Sequence, residues 1–497
     1  MPATVVTGDT GLLACSTVCP YAGAPLPRAR SDDDDGGPLV NQAAPRQTEP
    51  TTGEETRPAR RRVLASLGAL PAGAVLAGAG AAHAAPGGRG QGRGAGRGGG
   101  DAGGGFRLGV ENLLEGEAME TLREARVGLI TNPTGTDSSL RSTIDLLVAA
   151  QEEGGFTMAA LFGPEHGVRG AEPAGGSVGD YIDEKTGLEV RSLYGETQKP
   201  TPEMLEDLDV LVFDIQDIGT RFYTYIWTLY YAMEAAGEND KRFIVLDRPN
   251  PLGTDIEGFV LEPELSSFVG LREIPQTHGL TVGELALLFN GEFLDGAIDL
   301  EVVEMSGYDP EDPLAADLPW VLPSPNIPTP ETAVVYAGTG LIEALNISEG
   351  RGTTTPFLWF GAPFITESHV EALIAELDGA ELPGVLCRPM FATPTTSKHA
   401  GEFCGGLQIH VTDLEAYEPV RTGIHVLAAL LRTVEEVDWR EGEDCRTEAD
   451  ECWVDKLTGT KRTRMMLEDG ASPESIVTAW RRESRRFQAT TQRYRRY

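Results

Sequence analysis

Four stretches of this chain join a short apolar run to an abrupt polar exit: Val127–Pro133, Met158–Gly167, Val210–Asp217 and Phe243–Asn250. Unbroken runs such as Val210-Leu-Val-Phe213 suit strands buried on both faces of a parallel sheet. Between them the spacing turns helical. Ile144, Leu147 and Val148 predict a helix within 138–153, and Thr201 followed by Pro202 opens a short one over 202–208. The nearly all-apolar span 223–236 predicts a deeply buried helix. Thr281-Val-Gly-Glu284 is a capping box ahead of a helix over 281–293. This alternation predicts an α/β fold, a Rossmann-like parallel sheet with helices on both faces. Parallel strands release their following loops at one edge. Glu165, His166, Asp214, Asp217, Asp247 and Arg248 are therefore expected in one crevice.

From about 295 onward the pattern changes. A proline-rich connection, Pro323–Pro330, leads to Val334–Gly340 and the loop Asn346–Thr353. A strand-like Leu407–Val411 and helices near 418–435 and 473–485 follow. These predict a smaller C-terminal α/β domain (296–497) beside a catalytic Rossmann-like domain (106–295), with the site in the cleft between them.

Upstream, residues 1–56 are Pro- and Asp-rich and are expected to be disordered. Residues 57–85 combine Arg60-Arg-Arg62, a small-residue apolar stretch and Ala82-His-Ala84. This is the layout of a signal peptide of the twin-arginine type, and it predicts a secreted, extracellular protein without stable membrane insertion after cleavage. Residues 86–105 read as a Gly/Arg linker.

Charge narrows the function. A formal net charge of -35 excludes a generic nucleic-acid binder, which needs a basic face. With six lysines and plentiful arginines, the acidic excess suits a halophilic surface. Of the six cysteines, Cys15 and Cys19 fall in the leader. Disulfides Cys445–Cys452 or Cys387–Cys404 are alternatives to buried free thiols, and free thiols are the favoured reading. The first strand exit, Thr131-Asn-Pro-Thr-Gly135, lacks the glycine fingerprint of a dinucleotide site, so no cofactor is expected.

Several polar residues could carry chemistry. Glu165, in Gly163-Pro-Glu-His-Gly167, could act as a general acid at a strand end or simply accept hydrogen bonds within its loop. His166 reads as a loop hydrogen-bonder. Together with Asp214 and Asp247 it could instead form an oxygen-rich metal site, which keeps a metal-dependent esterase or deacylase as an alternative. Asp214 could be a second catalytic acid or pair with Arg221, and for Asp217 a structural role is favoured. Asp247 and Arg248 either bind a ligand or fix a proline turn. Glu349-Gly-Arg-Gly352 suits an anionic or polyhydroxylated ligand, with Arg351 forking a carboxylate. Phe222, Tyr223, Tyr225 and Trp227 could stack on a sugar, although helical spacing makes them more often core.

Nine ordered motifs together carry a resemblance. They are Gly128-Leu-Ile-Thr-Asn-Pro-Thr-Gly135, Leu161-Phe-Gly-Pro-Glu-His-Gly-Val-Arg-Gly170, Leu193-Tyr-Gly195, Lys199-Pro-Thr-Pro-Glu-Met204, Val212–Tyr225, Leu246-Asp-Arg-Pro-Asn-Pro251, His278–Leu285, Pro323–Thr329 and Ser348–Thr354. From about Gly109 to the C-terminus the chain resembles the exo-β-N-acetylmuramidase family, glycoside hydrolase family 171. The resemblance implies a Rossmann-like catalytic domain, a smaller C-terminal domain, and release of N-acetylmuramic acid from peptidoglycan fragments. It implies Glu165 as the catalytic residue; His166 and Asp214 are the further catalytic candidates. Asp214 or the substrate's own 2-acetamido oxygen would be the second group. Asn132, Arg169, Asp217, Arg221, Tyr223, Asp247, Arg248, Asn326, Glu349 and Arg351 are the candidate substrate-binding set, with no metal ligand. Arg221, Arg248 or Arg351 would hold the lactyl carboxylate. The expected partner is a muropeptide or amino-sugar glycan, and a homodimer is left open. A non-catalytic receptor for wall glycans is the other alternative.

Overall fold

A computed structural model describes residues 105–497, apart from 171–178, 196, 315–317 and 448. The expected leader and almost all of the linker lie outside the described residues. The predicted strands form where the apolar runs are. They are β1 (Arg126–Thr131), β2 (Thr157–Gly163), β5 (Val210–Asp214) and β6 (Arg242–Leu246), joined by β3 (Tyr181–Ile182), β4 (Glu189–Ser192) and β7 (Leu300–Val303). Their order across the sheet is β3-β4-β2-β1-β5-β6-β7. Every pairing is parallel except β3 with β4. β1 lies at the centre, with Thr131 opposite Asp214 and Ile130 opposite Phe162, so the polar exits of β1, β2 and β5 align at one edge. β7 lies beyond the expected boundary at 295, and the first sheet extends to Val303.

The helices form where caps and periodicity predict, with shifted starts. Helix Thr143–Gly154 begins late because Asp137 accepts the backbone N–H groups of Ser139 and Arg141 and holds a turn ahead of it. Helix Pro202–Leu205 is capped by Thr201. Helix Val282–Phe293 has the predicted capping box, with Thr281 and Glu284 each accepting the other's backbone N–H. Helix Tyr225–Glu238 buries ten of its side chains under the sheet.

The second part has a three-stranded antiparallel sheet ordered β8-β10-β9, formed by β8 (Trp359–Ala362), β9 (Val385–Ala392) and β10 (Cys404–Val411). Helices Pro330–Thr339, Glu367–Gly379 and Pro419–Thr433 pack around it, and Pro473–Thr491 closes the fold. The two parts share one hydrophobic core, which runs from Phe162 and Phe213 through Trp227 to Val335, Leu427 and Trp480. The described residues thus form one compact unit. A smaller core on the other face of the sheet joins Val127, Leu147 and Val212.

The cysteine expectation needs correction. Cys445 and Cys452 are bonded, with Cα atoms 5.6 Å apart, while Cys387 and Cys404 are free thiols. The C-x6-C spacing falls in a loop that turns back on itself, because the next helix starts only at Trp453.

Candidate active site

β2 ends at Gly163, and the chain then turns sharply. His166 and Gly167 both adopt left-handed backbone (φ 72° and 71°), and Gly167 N–H donates to Pro164 O at 2.9 Å. This turn brings Glu165 out part-exposed, between buried Pro164 and buried His166. The Tyr194 hydroxyl, just past β4, donates to Glu165 Oε1 at 3.2 Å. The Thr224 hydroxyl, at the start of helix 225–238, donates to Oε2 at 3.3 Å. Two side-chain donors from separate elements therefore fix the orientation of an accessible carboxyl group.

Phenols surround it. Tyr225 donates to Pro323 O at 2.6 Å and lies beside Asn132. Tyr336 packs edge-on against Phe222, Tyr223 and Phe357, with centroids 5.3, 5.9 and 4.6 Å away. Burial pushes the Tyr223, Tyr225 and Tyr336 phenols far up, and the charge of Glu165 adds to the push in all three. They stay neutral; Tyr225 gives its proton to Pro323 O, while the Tyr223 and Tyr336 hydroxyls can donate to a ligand. Two buried polar atoms here, Tyr223 Oη and Asn132 Nδ2, make no well-formed hydrogen bond within the protein. Groups of this kind are satisfied by water or by a polar ligand.

The opposing wall is the 348–355 loop. Gly350 and Gly352 flank Arg351 with φ of 86° and 76°. A Cβ on Gly352 would lie 2.4 Å from Thr396 N, so only glycine lets this loop meet the β9–β10 hairpin. Arg351 reaches Glu343 at 2.7 Å and Glu349 at 3.1 Å, and lies 5.0 Å over the Phe357 ring. Lys398, from the hairpin, neutralises the other Glu349 oxygen at 3.2 Å. Asn326 is part-exposed on the proline-rich connection, its backbone N–H on Ser324 Oγ.

Glu165, Asn132, Tyr223, Glu349 and Arg351 are thus drawn towards one crevice, with His166 buried next to Glu165. Six other candidates are structural. Asp214 has no exposed surface. Arg248 forks it, Nη2 to Oδ2 at 2.9 Å, and the Thr143 hydroxyl donates to it. Asp217 accepts Gly219 N–H at 2.8 Å and faces His278 Nε2 at 3.0 Å. His278 Nδ1 accepts Leu280 N–H, so Nε2 carries the proton donated to Asp217. Arg221 is fully buried and, among the described residues, meets no carboxylate. It donates to the carbonyls of Phe259, Ile274 and Leu457, and burial lowers its pKa to about 9. Asp247 accepts Gly283 N–H and the Thr281 and Tyr497 hydroxyls at a helix N-terminus, while burial raises it to about 6. Arg169 pairs with Asp183 at 2.6 Å and approaches Asp145 at 3.6 Å. The metal alternative needs Asp214 and Asp247, and both are already committed to protein partners. Trp227 is core, its indole N–H on Arg221 O.

A cavity of about 170 Å³ opens at the same sheet edge, lined by Thr134, Gln216, Arg248 and Trp320, but Glu165 does not line it. Sequence reasoning gave no site role to Tyr194, Thr224, Tyr336, Glu343 or Lys398. The signals available were the Leu193-Tyr-Gly195 motif for Tyr194 and, for Lys398, the rarity of lysine in this chain.

Comparison with known proteins agrees with this arrangement. Two family models match, the N-terminal part of exo-β-N-acetylmuramidase NamZ over residues 127–331 and its C-terminal part over 334–497. The chain is 50% identical over 391 residues to the peptidoglycan β-N-acetylmuramidase NamZ of Bacillus subtilis (strain 168), covering 78% of this chain and 90% of that protein. Two DUF1343-family crystal structures from Bacteroides fragilis NCTC 9343 share the fold. One has a TM-score of 0.70 at 40% identity and the other 0.60 at 27%, each covering 79% of this chain and 99% of its own. The chain belongs to the exo-β-N-acetylmuramidase NamZ family of glycoside hydrolases.

Proposed function

We propose that this protein releases N-acetylmuramic acid from the non-reducing ends of peptidoglycan fragments, with Glu165 as the general acid. The observation that carries the reading is the part-exposed Glu165 carboxyl, held by Tyr194 and Thr224 among neutral phenols. The name of the 50%-identical Bacillus relative supports the substrate class. Glu165 gives its proton to the glycosidic oxygen as the bond to the anomeric carbon breaks. Asp214 is sealed beneath the crevice by Arg248, so the substrate's own 2-acetamido oxygen is the better candidate for the attacking group. It closes onto the anomeric carbon, and water, deprotonated by Glu165, then opens the ring. Of the three arginines considered for the lactyl carboxylate, Arg221 and Arg248 are buried on other partners. Arg351 is the part-exposed one, on the wall beside Tyr336.

The same reading makes the protein a secreted one, supported by the Arg60-Arg-Arg62 leader, and halophilic, supported by its net charge of -35. Fractionation of expressing cells tests export. The activity is tested by incubating wild type and Glu165→Gln with a chromogenic muramic acid glycoside at high salt. Turnover should fall by at least about a hundredfold in the variant. Near wild-type turnover would reject Glu165, and no product from the wild type would leave a glycan receptor.

A further inference from the structure

A second cavity, of about 440 Å³, shares no lining residue with the Glu165 crevice. One wall is a single face of helix 473–491. Val477, Trp480, Arg481, Ser484, Arg485 and Gln488 recur there at helical spacing. The facing wall comes from segments 254–257 and 415–418, and carries Asp255, Glu257, Glu415 and Glu418.

The charges on these walls are not matched in the usual way. Across this acidic chain most arginines are tied to a carboxylate, as Arg421 is to Glu418 and Glu474. Among the described residues, Arg481 and Arg485 have neither an ion pair nor a side-chain hydrogen bond, although acids line the other side of the same cavity. Tyr417 also lines it, and its buried hydroxyl has no well-formed hydrogen bond. Glu257 Oε2 accepts Val420 N–H at 2.7 Å at the start of helix 419–433. Burial, with Glu418 and Asp255 adding, raises Glu257 to about 8, the behaviour of a carboxyl group lacking a nearby cation.

A simple anion entering here would face the acidic wall, and a simple cation the two guanidinium groups. A ligand with an ammonium at one end and a carboxylate at the other satisfies both walls. The volume lies in the range of about 300–1,000 Å³ typical of small-ligand sites, and a single amino acid would leave most of it to water. We propose that this cavity binds a short peptide with a free ammonium group and at least one carboxylate, its carboxylates on Arg481 and Arg485 and its ammonium towards Asp255 and Glu257. The site does not depend on the role of Glu165.

The test is calorimetric titration of the whole protein with alanyl-glutamate, a probe without a glycosidic bond. Saturable binding is expected. It should weaken at least about tenfold for N-acetyl-alanyl-glutamate, which lacks the ammonium, and in the double variant R481A/R485A. Asp255→Asn should weaken the free dipeptide more than the acetylated one. The substituted side chains are surface-exposed, so the variants should keep the wild-type melting temperature. Absence of saturable binding, equal affinity for the acetylated probe, or unchanged affinity in the folded double variant would overturn the proposal. Muramidase turnover enters none of these readouts.

Discussion

Asp214, at the end of β5, and Arg248, just past the end of β6, form a fully buried bidentate pair, and Arg248 also donates to Thr136 O. The pair closes the sheet edge beneath the crevice and joins the exits of three strands. Replacing Asp214 by Asn would leave a guanidinium buried without its counter-charge, at a cost of about 3–5 kcal/mol. Thermal denaturation should show a large drop in melting temperature for Asp214→Asn and almost none for Glu165→Gln. The reverse order would place Asp214 in the chemistry.

The hydroxyls of Tyr194 and Thr224 orient Glu165. Each bond is worth about 1 kcal/mol, so Tyr194→Phe and Thr224→Val should each lower kcat roughly five- to tenfold, with little change in KM. Steady-state kinetics on a muramic acid glycoside checks this. A change confined to KM would make them substrate contacts.

Arg351 is expected to separate muramic acid from its analogue without the lactyl group. Arg351→Lys keeps the charge but loses the planar fork. Its kcat/KM for the muramic acid glycoside should fall at least about tenfold, while the rate on the matching glucosamine glycoside stays close to wild type. Paired assays on the two glycosides give the ratio directly.

Glu257 supplies a pH test. Its pKa rises from 4.5 to about 8 on folding, so the folded protein binds this proton more tightly than the unfolded chain. As pH climbs through that window the unfolded chain ionises first, and the folded state loses stability. Glu257→Gln keeps an acceptor for Val420 N–H and has no charge to bury. The variant should melt near the wild-type temperature at pH 4.5 and clearly above it at pH 9, in scans run at both values.

Reduction of Cys445–Cys452 opens a short loop, which corresponds to about 2 kcal/mol in the chain-entropy picture. Melting with and without reductant should differ by a few degrees. The Cys445→Ser/Cys452→Ser double variant should match the reduced protein and not respond to reductant.

Much of the fold was legible because its signals are local. β1, β2, β5 and β6 are buried on both faces, and such strands read as unbroken apolar runs. Thr201 and Thr281 announced their helices through their own hydrogen bonds. The helix at Pro330–Thr339 carries a local signal too, with Thr329 as its cap and Pro330 in its first turn. The site was legible only in part. Sequence shows that Asp214, Asp217, Asp247 and Arg248 lie at strand exits, but not whether they face the crevice or one another. Buried charge must find a partner, and here these residues found theirs within the sheet edge and adjoining loops. Tyr336 and Lys398 reach the site through contacts between distant segments, which no local spacing encodes.

The wall carrying Arg351 is kept in place by the β9–β10 hairpin. Thr395 N–H donates to Gly352 O, and Lys398 donates to the carbonyls of Glu343 and Leu345. The acid just past β2 and the wall opposite it are therefore held by different sheets and can diverge separately. Exchanging residues 393–403 between relatives offers a way to retune which sugar is accepted while the proton-donating machinery stays untouched.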